Sequence, residues 1–368
     1  MKRTWLLLIF AAFLASPLAS YTPAQAASQQ PAKVQKKTKT VQAKKTSAKK
    51  KKIKAKTKKK GVKVSKRARE AYNPNTPLRT LQASYDTAWR DSDLDLQSAA
   101  ALVIDQKTGE ALYAKNVEVA TPIASITKLM TAMVTLDAGL PLDEEIVIGK
   151  EDMDRLKGTG SRLALGTRLT REELLYLALM ASENRAAAAL SRAYPGGREA
   201  FIAAMNRKAR AIGMEHAHFV DGTGLSSGNR ATAADLAKLV DASSRYPLIR
   251  QSSTADSYDV SVPGRKVVRI KQNGKVKRIA KSVTRQVAFH NTNSLTRNSE
   301  WNIGVSKTGY ISEAGRCLVM QASIAERKVI IVLLDSWGKW SRIGDAQRIK
   351  KWLEQDRQLA RGSSRVSA

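Results

Sequence analysis

Lys328-Val-Ile-Ile-Val-Leu-Leu334 holds six consecutive branched apolar residues with no polar face. A run this short and this uniformly apolar reads as a strand buried on both sides, so it is expected at the centre of a sheet. Residues 302–306 and 317–322 read as two successive strands before it. Upstream of those, residues 267–272 and 275–280 alternate around Asn273-Gly274, a strong two-residue hairpin signal. Near the other end of the body, residues 100–105 read as a buried strand, 106–110 as a turn and 111–114 as its return, forming an edge hairpin.

Helical patterns lie between these strand groups. Leu129, Met130, Met133 and Val134 share helical spacing within 125–136. Thr170 and Glu173 form a capping box that opens 174–180. Another helix restarts after Asn184 and stops at Pro195-Gly196-Gly197; a third buries Phe201, Ile202, Met205, Ala209 and Ile212 and ends at Gly213; a fourth covers 232–242. The chain closes with a helix over 341–355, striped by Ile343, Ala346, Ile349, Trp352 and Leu353. Strands early and late, with a helical region over about 150–244, predict one sheet assembled from both ends and a helical insertion beside it, with a cleft between them.

The chain has 368 residues, 43% of them apolar, and a formal charge of +32. That apolar share excludes a wholly disordered chain. The charge is concentrated: starting at Lys33 and ending at Arg69, 19 of 37 residues are Lys or Arg and none is acidic. Removing those and Lys2 and Arg3 leaves +11 for residues 70–368. The basic segment has no aromatic residue for stacking on bases, so nucleic acid is not expected. It reads either as a self-repelling spacer or as one that also holds anionic envelope polymers. Residues 1–26 carry Lys2 and Arg3, an apolar stretch and Ala24-Gln25-Ala26, the pattern of a secretory signal. The expected organisation is a signal peptide over 1–26, a basic linker over 27–92, a catalytic domain over 93–356 and a flexible tail over 357–368. Export to the periplasm follows, with no transmembrane anchor after cleavage. A single Cys317 allows neither an internal disulfide nor a Cys-based zinc site.

Three short motifs carry chemistry. Ser125-Ile-Thr-Lys128 puts a hydroxyl and an amine on one side of a helix start, where free N–H groups stabilise an oxyanion. Ser182-Glu-Asn184 stands at a helix break, and Lys307-Thr-Gly309 follows a strand. Each is weak alone, because Ser47–Lys50, Ser336–Lys339, Ser227-Gly-Asn229 and Lys107-Thr-Gly109 repeat the patterns elsewhere. Lys107-Thr-Gly109 reads as the turn of the first hairpin. Their order and context parallel the motif set of penicillin-binding proteins and serine β-lactamases.

With Pro122-Ile-Ala-Ser-Ile-Thr-Lys-Leu-Met-Thr-Ala-Met133, Ala178-Leu-Met-Ala-Ser-Glu-Asn-Arg-Ala-Ala187, Tyr194-Pro-Gly-Gly197 and Lys307-Thr-Gly-Tyr310, the chain resembles the periplasmic D-alanyl-D-alanine endopeptidases. These are low-molecular-mass penicillin-binding proteins of the carboxypeptidase/endopeptidase family. The resemblance covers about 93–355 and implies an α/β (α+β) sandwich, an antiparallel sheet flanked by helices with a helical subdomain. It implies Ser125 as nucleophile, Lys128 as base with its pKa lowered by burial and by Lys307, Ser182 as proton relay and Asn184 as the holder of Lys128 and substrate. It further implies an oxyanion hole at the backbone N–H groups of Ser125 and Tyr310, and a carboxylate site at Lys307, Thr308 and Gly309. Peptidoglycan stem peptides are the implied substrates and β-lactams the covalent inhibitors, with no metal and no cofactor.

Asn291-Thr-Asn293 is expected to line the cleft, and Cys317 to be a buried inert thiol. His216, His218 and His290 stand in no partner spacing and read as structural. Among Glu199, Glu215 and Glu300, none has the Glu-x-x-x-Asn context of a lactamase water activator. The 59 residues after Gly309 suffice for two strands and a helix but not for the extra β domain of membrane-attached carboxypeptidases. Cross-link cleavage is therefore favoured, with terminal D-Ala removal or a catalytically idle wall-binding protein as alternatives. The basic 267–280 hairpin is longer than the resemblance implies and borders the cleft or decorates the surface.

Overall fold

The computed structural model describes residues 94–272 and 275–366. The signal-like 1–26, the basic linker 27–92, Ser47–Lys50 and the turn Asn273-Gly274 lie outside the described residues. The chain enters through β1 (Ser98–Asp105), β2 (Ala111–Lys115) and the two-residue β3 (Thr121–Pro122), then a 3-10 turn (Ala124–Ile126) that continues as α1 (Thr127–Asp137). Nine residues of α1, from Thr127 to Thr135, are buried, so this helix is enclosed on all sides. Next come β4 (Glu145–Val147), β5 (Arg168–Thr170), α2 (Arg171–Met180), α3 (Asn184–Arg192), α4 (Gly197–Ala211), β6 (Arg230–Ala231), α5 (Ala233–Ser243) and α6 (Pro247–Thr254). The capping box at Thr170 forms as its spacing predicts: Thr170 Oγ1 accepts from the Glu173 N–H at 3.1 Å and Glu173 Oε2 accepts from the Thr170 N–H at 2.8 Å.

The second half forms the hairpin β7 (Ser257–Gln272) and β8 (Lys275–His290), then β9 (Asn302–Ile311), β10 (Gly315–Ile324), β11 (Arg327–Ser336) and α7 (Ser341–Val366). Five strands make the main sheet in the order β2-β1-β11-β10-β9, every neighbour antiparallel. β11 sits at the centre, and its period-2 alternation explains its unbroken apolarity. Ile330, Val332 and Leu334 pack into the core shared with the helices, while Val329, Ile331 and Leu333 pack on the opposite face with Ala346, Ile349 and Leu353 of α7. The buried Asp345 fixes α7 to the sheet by accepting from the N–H groups of Gln97 (3.0 Å) and Ser98 (2.8 Å).

The sheet therefore joins early and late segments, with helices on both faces and a largely helical region over 150–244. Three expectations are corrected. The basic hairpin occupies 257–290 rather than 267–280: its pairing runs in unbroken register from Ser257↔His290 to Gln272↔Lys275, because Tyr258 and Val260 alternate on one face opposite Phe289 and Val287 and continue the ladder. α7 has helical backbone to Val366, past the end expected at Gln355, since no Pro or Gly stands between Gln355 and Gly362. α6 gave no periodic signal, yet forms behind Pro247 at its first turn, which presets the helical φ. Among the described residues no helix is long and apolar enough to cross a membrane.

Candidate active site

Ser125 stands on the 3-10 turn that opens α1. The turn is strained, because Ala124 has φ +48°, a left-handed conformation that costs a non-glycine residue about 1–3 kcal/mol. Its surroundings hold it. Thr127 Oγ1 donates to Ala124 O at 2.8 Å and accepts from Asn229 Nδ2 at 3.0 Å. The 221–229 loop presses on the same turn through Gly224, whose φ is +79° and where a Cβ would stand 2.0 Å from Ala124 O. Gly309 does this from the sheet side: a Cβ there would meet Ile123 O at 3.0 Å, Ala124 Cβ at 3.1 Å and Ser125 N at 3.2 Å. Glycine in the third motif thus lets β9 run directly against the serine turn.

Lys128 lies one turn further along, fully buried, with three partners for its Nζ: Ser125 Oγ at 2.8 Å, Asn184 Oδ1 at 2.7 Å and Thr223 O at 2.7 Å. Asn184 is oriented by its Nδ2, which donates to Thr159 Oγ1 at 3.0 Å. Thr223 O is fixed by Asp221, whose carboxylate accepts from the N–H groups of Thr223, Gly224 and Ser226 at 2.6, 2.7 and 3.0 Å. Two of the three partners, an amide oxygen and a backbone carbonyl, can only accept. A neutral amine gives its two N–H bonds to them, and its lone pair is left facing the Ser125 hydroxyl.

Burial lowers the Lys128 pKa from 10.5 to about 7, against the opposing pull of the Asp221 and then the Glu183 carboxylates. The two amines also repel each other: Lys307 is held well below the ordinary lysine value first by burial, then by Lys128 and Arg342.

Lys307 is a second buried amine. Its Nζ donates to Ser182 Oγ at 2.8 Å and to Thr308 O at 2.8 Å. Ser182 has φ +57°, a strained break between α2 and α3 that turns its hydroxyl towards the sheet. Thr308 Oγ1 shares a 2.6 Å hydrogen bond with Thr292 Oγ1. The described contacts thus form two clusters, Ser125–Lys128–Asn184 and Ser182–Lys307–Thr308, brought side by side by Gly309. Tyr310 follows with its side chain 58% exposed and its ring under the Arg316 guanidinium at 4.6 Å.

Of the Asn291-Thr-Asn293 stretch expected to line the cleft, Thr292 is the residue that touches Thr308; sequence reasoning missed Asp221, Thr223 and Arg342. Asn291 and Asn293 are buried braces instead of cleft-lining groups: Asn291 Nδ2 donates to Ser253 O and Ala255 O, and Asn293 Nδ2 to Ser306 Oγ. The Thr223 carbonyl and its Asp221 brace carried a usable signal, since Asp-Gly-Thr-Gly is a turn sequence. Arg342, which donates to Gly309 O at 3.1 Å and Cys317 O at 3.3 Å, carried none.

The decoys resolve differently. Lys107-Thr-Gly109 forms the β1–β2 turn, with Asp105 N–H donating to Glu110 O at 2.9 Å. Asn229 is buried and staples its own loop by accepting from the Val220 and Asp221 N–H groups. Ser336 ends β11 against Ser98 Oγ at 2.6 Å. Cys317 is buried, its thiol pushed up to about 12 by desolvation.

An antiparallel sheet with helices on both faces and a serine hydroxyl paired with a buried lysine at a helix start defines a serine-type peptidase. The chain belongs to the D-alanyl-D-alanine carboxypeptidase family, peptidase S11, whose profile matches residues 87–338. It is 45% identical over 260 residues to the D-alanyl-D-alanine endopeptidase of Pseudomonas aeruginosa, covering 71% of this chain and 78% of that one. To the D-alanyl-D-alanine endopeptidase of Escherichia coli it is 43% identical over 265 residues, or 72% and 79% of the two chains. Among solved structures, the Streptomyces K15 DD-transpeptidase matches with a TM-score of 0.61 at 26% identity, over 70% of this chain and 97% of that one.

Proposed function

We propose that this chain is a serine DD-endopeptidase that hydrolyses D-alanyl cross-links of peptidoglycan through an acyl-enzyme on Ser125. The observation that carries the reading is the placement of Lys128 Nζ against Ser125 Oγ with two pure acceptors on its remaining sides. Ser125 attacks the carbonyl of the D-Ala residue while Lys128 takes its proton. The negative oxygen that forms is held by the backbone N–H groups of Ser125 and Tyr310. Ser182, hydrogen-bonded to Lys307, hands a proton to the departing amine and is reprotonated from the lysines. Water then attacks the ester, Lys128 again takes the proton and passes it to the departing Ser125 oxygen, which restores the hydroxyl and the neutral amine. Lys307 and Thr308, with Thr292 behind them, bind the carboxylate at the D-centre, and Asn184 holds Lys128 and the substrate backbone.

The two endopeptidase relatives, each at more than 40% identity, support cross-link cleavage. The family description supports a second reading, carboxypeptidase removal of terminal D-Ala, in which the same acyl-enzyme forms and only the leaving amine differs. β-Lactams acylate Ser125 and are slow to leave. The expected setting is the periplasm, reached through the signal-like residues 1–26, with residues 27–92 acting as a basic linker and cross-link cleavage reshaping the wall. A fluorescent penicillin should label the protein and fail to label Ser125→Ala. Equal labelling of both removes Ser125 from the mechanism. Mass spectrometry of products from a cross-linked muropeptide dimer should show monomers; a dimer shortened by one alanine points to the carboxypeptidase instead.

A further inference from the structure

The hairpin of β7 and β8 carries charge that its own fold leaves unanswered. Residues 260–290 contain nine Lys or Arg and no Asp or Glu. The register sets Lys266 directly opposite Lys281 and Arg269 directly opposite Arg278. Like charges facing each other weaken strand pairing, and a two-stranded ribbon is marginal in water to begin with. All four side chains are exposed, and none forms an ion pair among the described residues. Such a ribbon is stabilised by an anionic partner.

Its faces narrow the choice of partner. Strand alternation puts Lys266, Lys277 and Lys281 on one face and Arg265, Arg269 and Arg278 on the other. A planar lipid surface meets one face of a two-stranded ribbon at a time and leaves cations of the other face in water, whereas a network with anions on both sides meets all of them. Residues 260–288 contain no aromatic side chain, so nothing there stacks on nucleic-acid bases. Position adds the last constraint. At its base the ribbon is fixed by Arg162, which lies over the Phe289 ring at 4.1 Å and donates to Ala288 O at 2.6 Å. β8 ends at His290, and Thr292, whose hydroxyl meets that of Thr308, follows immediately. The cationic arm is thus continuous with the carboxylate-binding wall of the cleft.

We propose that the β7–β8 ribbon is an arm that engages the free carboxylates of peptidoglycan stem peptides around the site of cutting and holds the cleft on the polymer. The proposal rests on the endopeptidase reading for its substrate, but its test does not need catalysis. In full-length Ser125→Ala protein, retention on isolated sacculi at low ionic strength is compared with and without Lys266→Gln, Arg269→Gln, Arg278→Gln and Lys281→Gln together. The basic 33–69 segment is present in both, so the difference reports the ribbon. Loss of these four charges should weaken retention roughly tenfold, with the difference vanishing at high salt and on sacculi whose carboxyls have been amidated. In the active protein the four substitutions should slow digestion of sacculi and leave cleavage of a soluble muropeptide dimer and penicillin labelling unchanged, which also shows that the variant folds. Equal retention, or a loss that persists on amidated sacculi, overturns the proposal. So does weakened binding to anionic phospholipid vesicles with sacculus retention intact, which makes the arm a membrane contact. A wild-type protein that fails to cleave the dimer defeats the endopeptidase reading, while the retention comparison still judges the arm.

Discussion

Acylation of Ser125 should follow the titration of Lys128. With a pKa of about 7, the amine is neutral in roughly one-tenth of molecules at pH 6 and nine-tenths at pH 8, so the acylation rate should climb about tenfold over that interval and then level off. An ordinary lysine predicts a different curve: about a hundredfold rise from pH 6 to pH 8 that continues to beyond pH 9. Stopped-flow acylation by a penicillin, below saturation, distinguishes the two. The perturbation is Asp221→Asn. Its carboxylate is the larger of the two charges that raise the Lys128 pKa, so removing it should move the acid limb to lower pH and shrink the pH 8 to pH 6 ratio. The neutral amide keeps an acceptor for the Thr223 and Gly224 N–H groups. A limb that does not move, moves upward, or climbs past pH 9 in the wild type refutes the assignment of Lys128 as a base tuned by burial. The stability consequence has a definite sign. Lys128 binds its proton more weakly folded than unfolded, so stability rises with pH between about 7 and 10.5, by at most ~5 kcal/mol.

Lys307→Gln, which removes the amine held by Ser182 and Thr308, should raise KM for substrates with a free carboxylate and leave KM for substrates lacking one unchanged; the same change for both contradicts this. Gly224→Ala combines a left-handed φ with a Cβ 2.0 Å from Ala124 O and should cost roughly 2–4 kcal/mol, read as a lower midpoint in urea and slower penicillin labelling. Ile331→Ala, in the centre of the α7-side core, should lose about 2–5 kcal/mol in the same denaturation without altering the acylation pH profile. Cys317, with its thiol near 12, should resist iodoacetamide at pH 8 in the folded protein and react once urea unfolds it.

What was legible in the sequence was what repeats or alternates. The six apolar residues before Asp335 located the sheet centre because a strand enclosed on both faces shows no polar position, and the Thr170–Glu173 box located α2 because its two hydrogen bonds are local. β3, β4, β5 and β6 were missed because pairs of two or three residues have no period to detect. α6 was missed because Leu248 and Ile249 are the only apolar side chains before its polar end, too few to show a period. The hairpin was found but cut short at both ends, since Pro263-Gly264 resembles a boundary; in the fold Gly264 pairs with Val283 and the ladder continues through it.

The site poses a harder problem, and the decoys show why. Lys107-Thr-Gly109 and Lys307-Thr-Gly309 are the same tripeptide, so no property of the three residues separates them. Gly109 adopts φ +76° in an open turn where an added Cβ meets nothing, while Gly309 has neighbours at 3.0–3.2 Å on the serine turn. The difference lies in which strand carries the motif and what that strand passes. The Ser-x-Asn pair behaves likewise: Asn184 meets Lys128, whereas Asn229 turns back on its own loop. Yet Asn229 is not idle, since it donates to Thr127 and so helps hold Ala124 at its strained φ. Asn229→Ala should therefore lower stability by about 1–3 kcal/mol, through the N–H groups of Val220 and Asp221 left without an acceptor, and should slow acylation through the loosened serine turn. A variant that loses stability but acylates at the wild-type rate below its unfolding transition would show that this turn keeps its geometry without the staple.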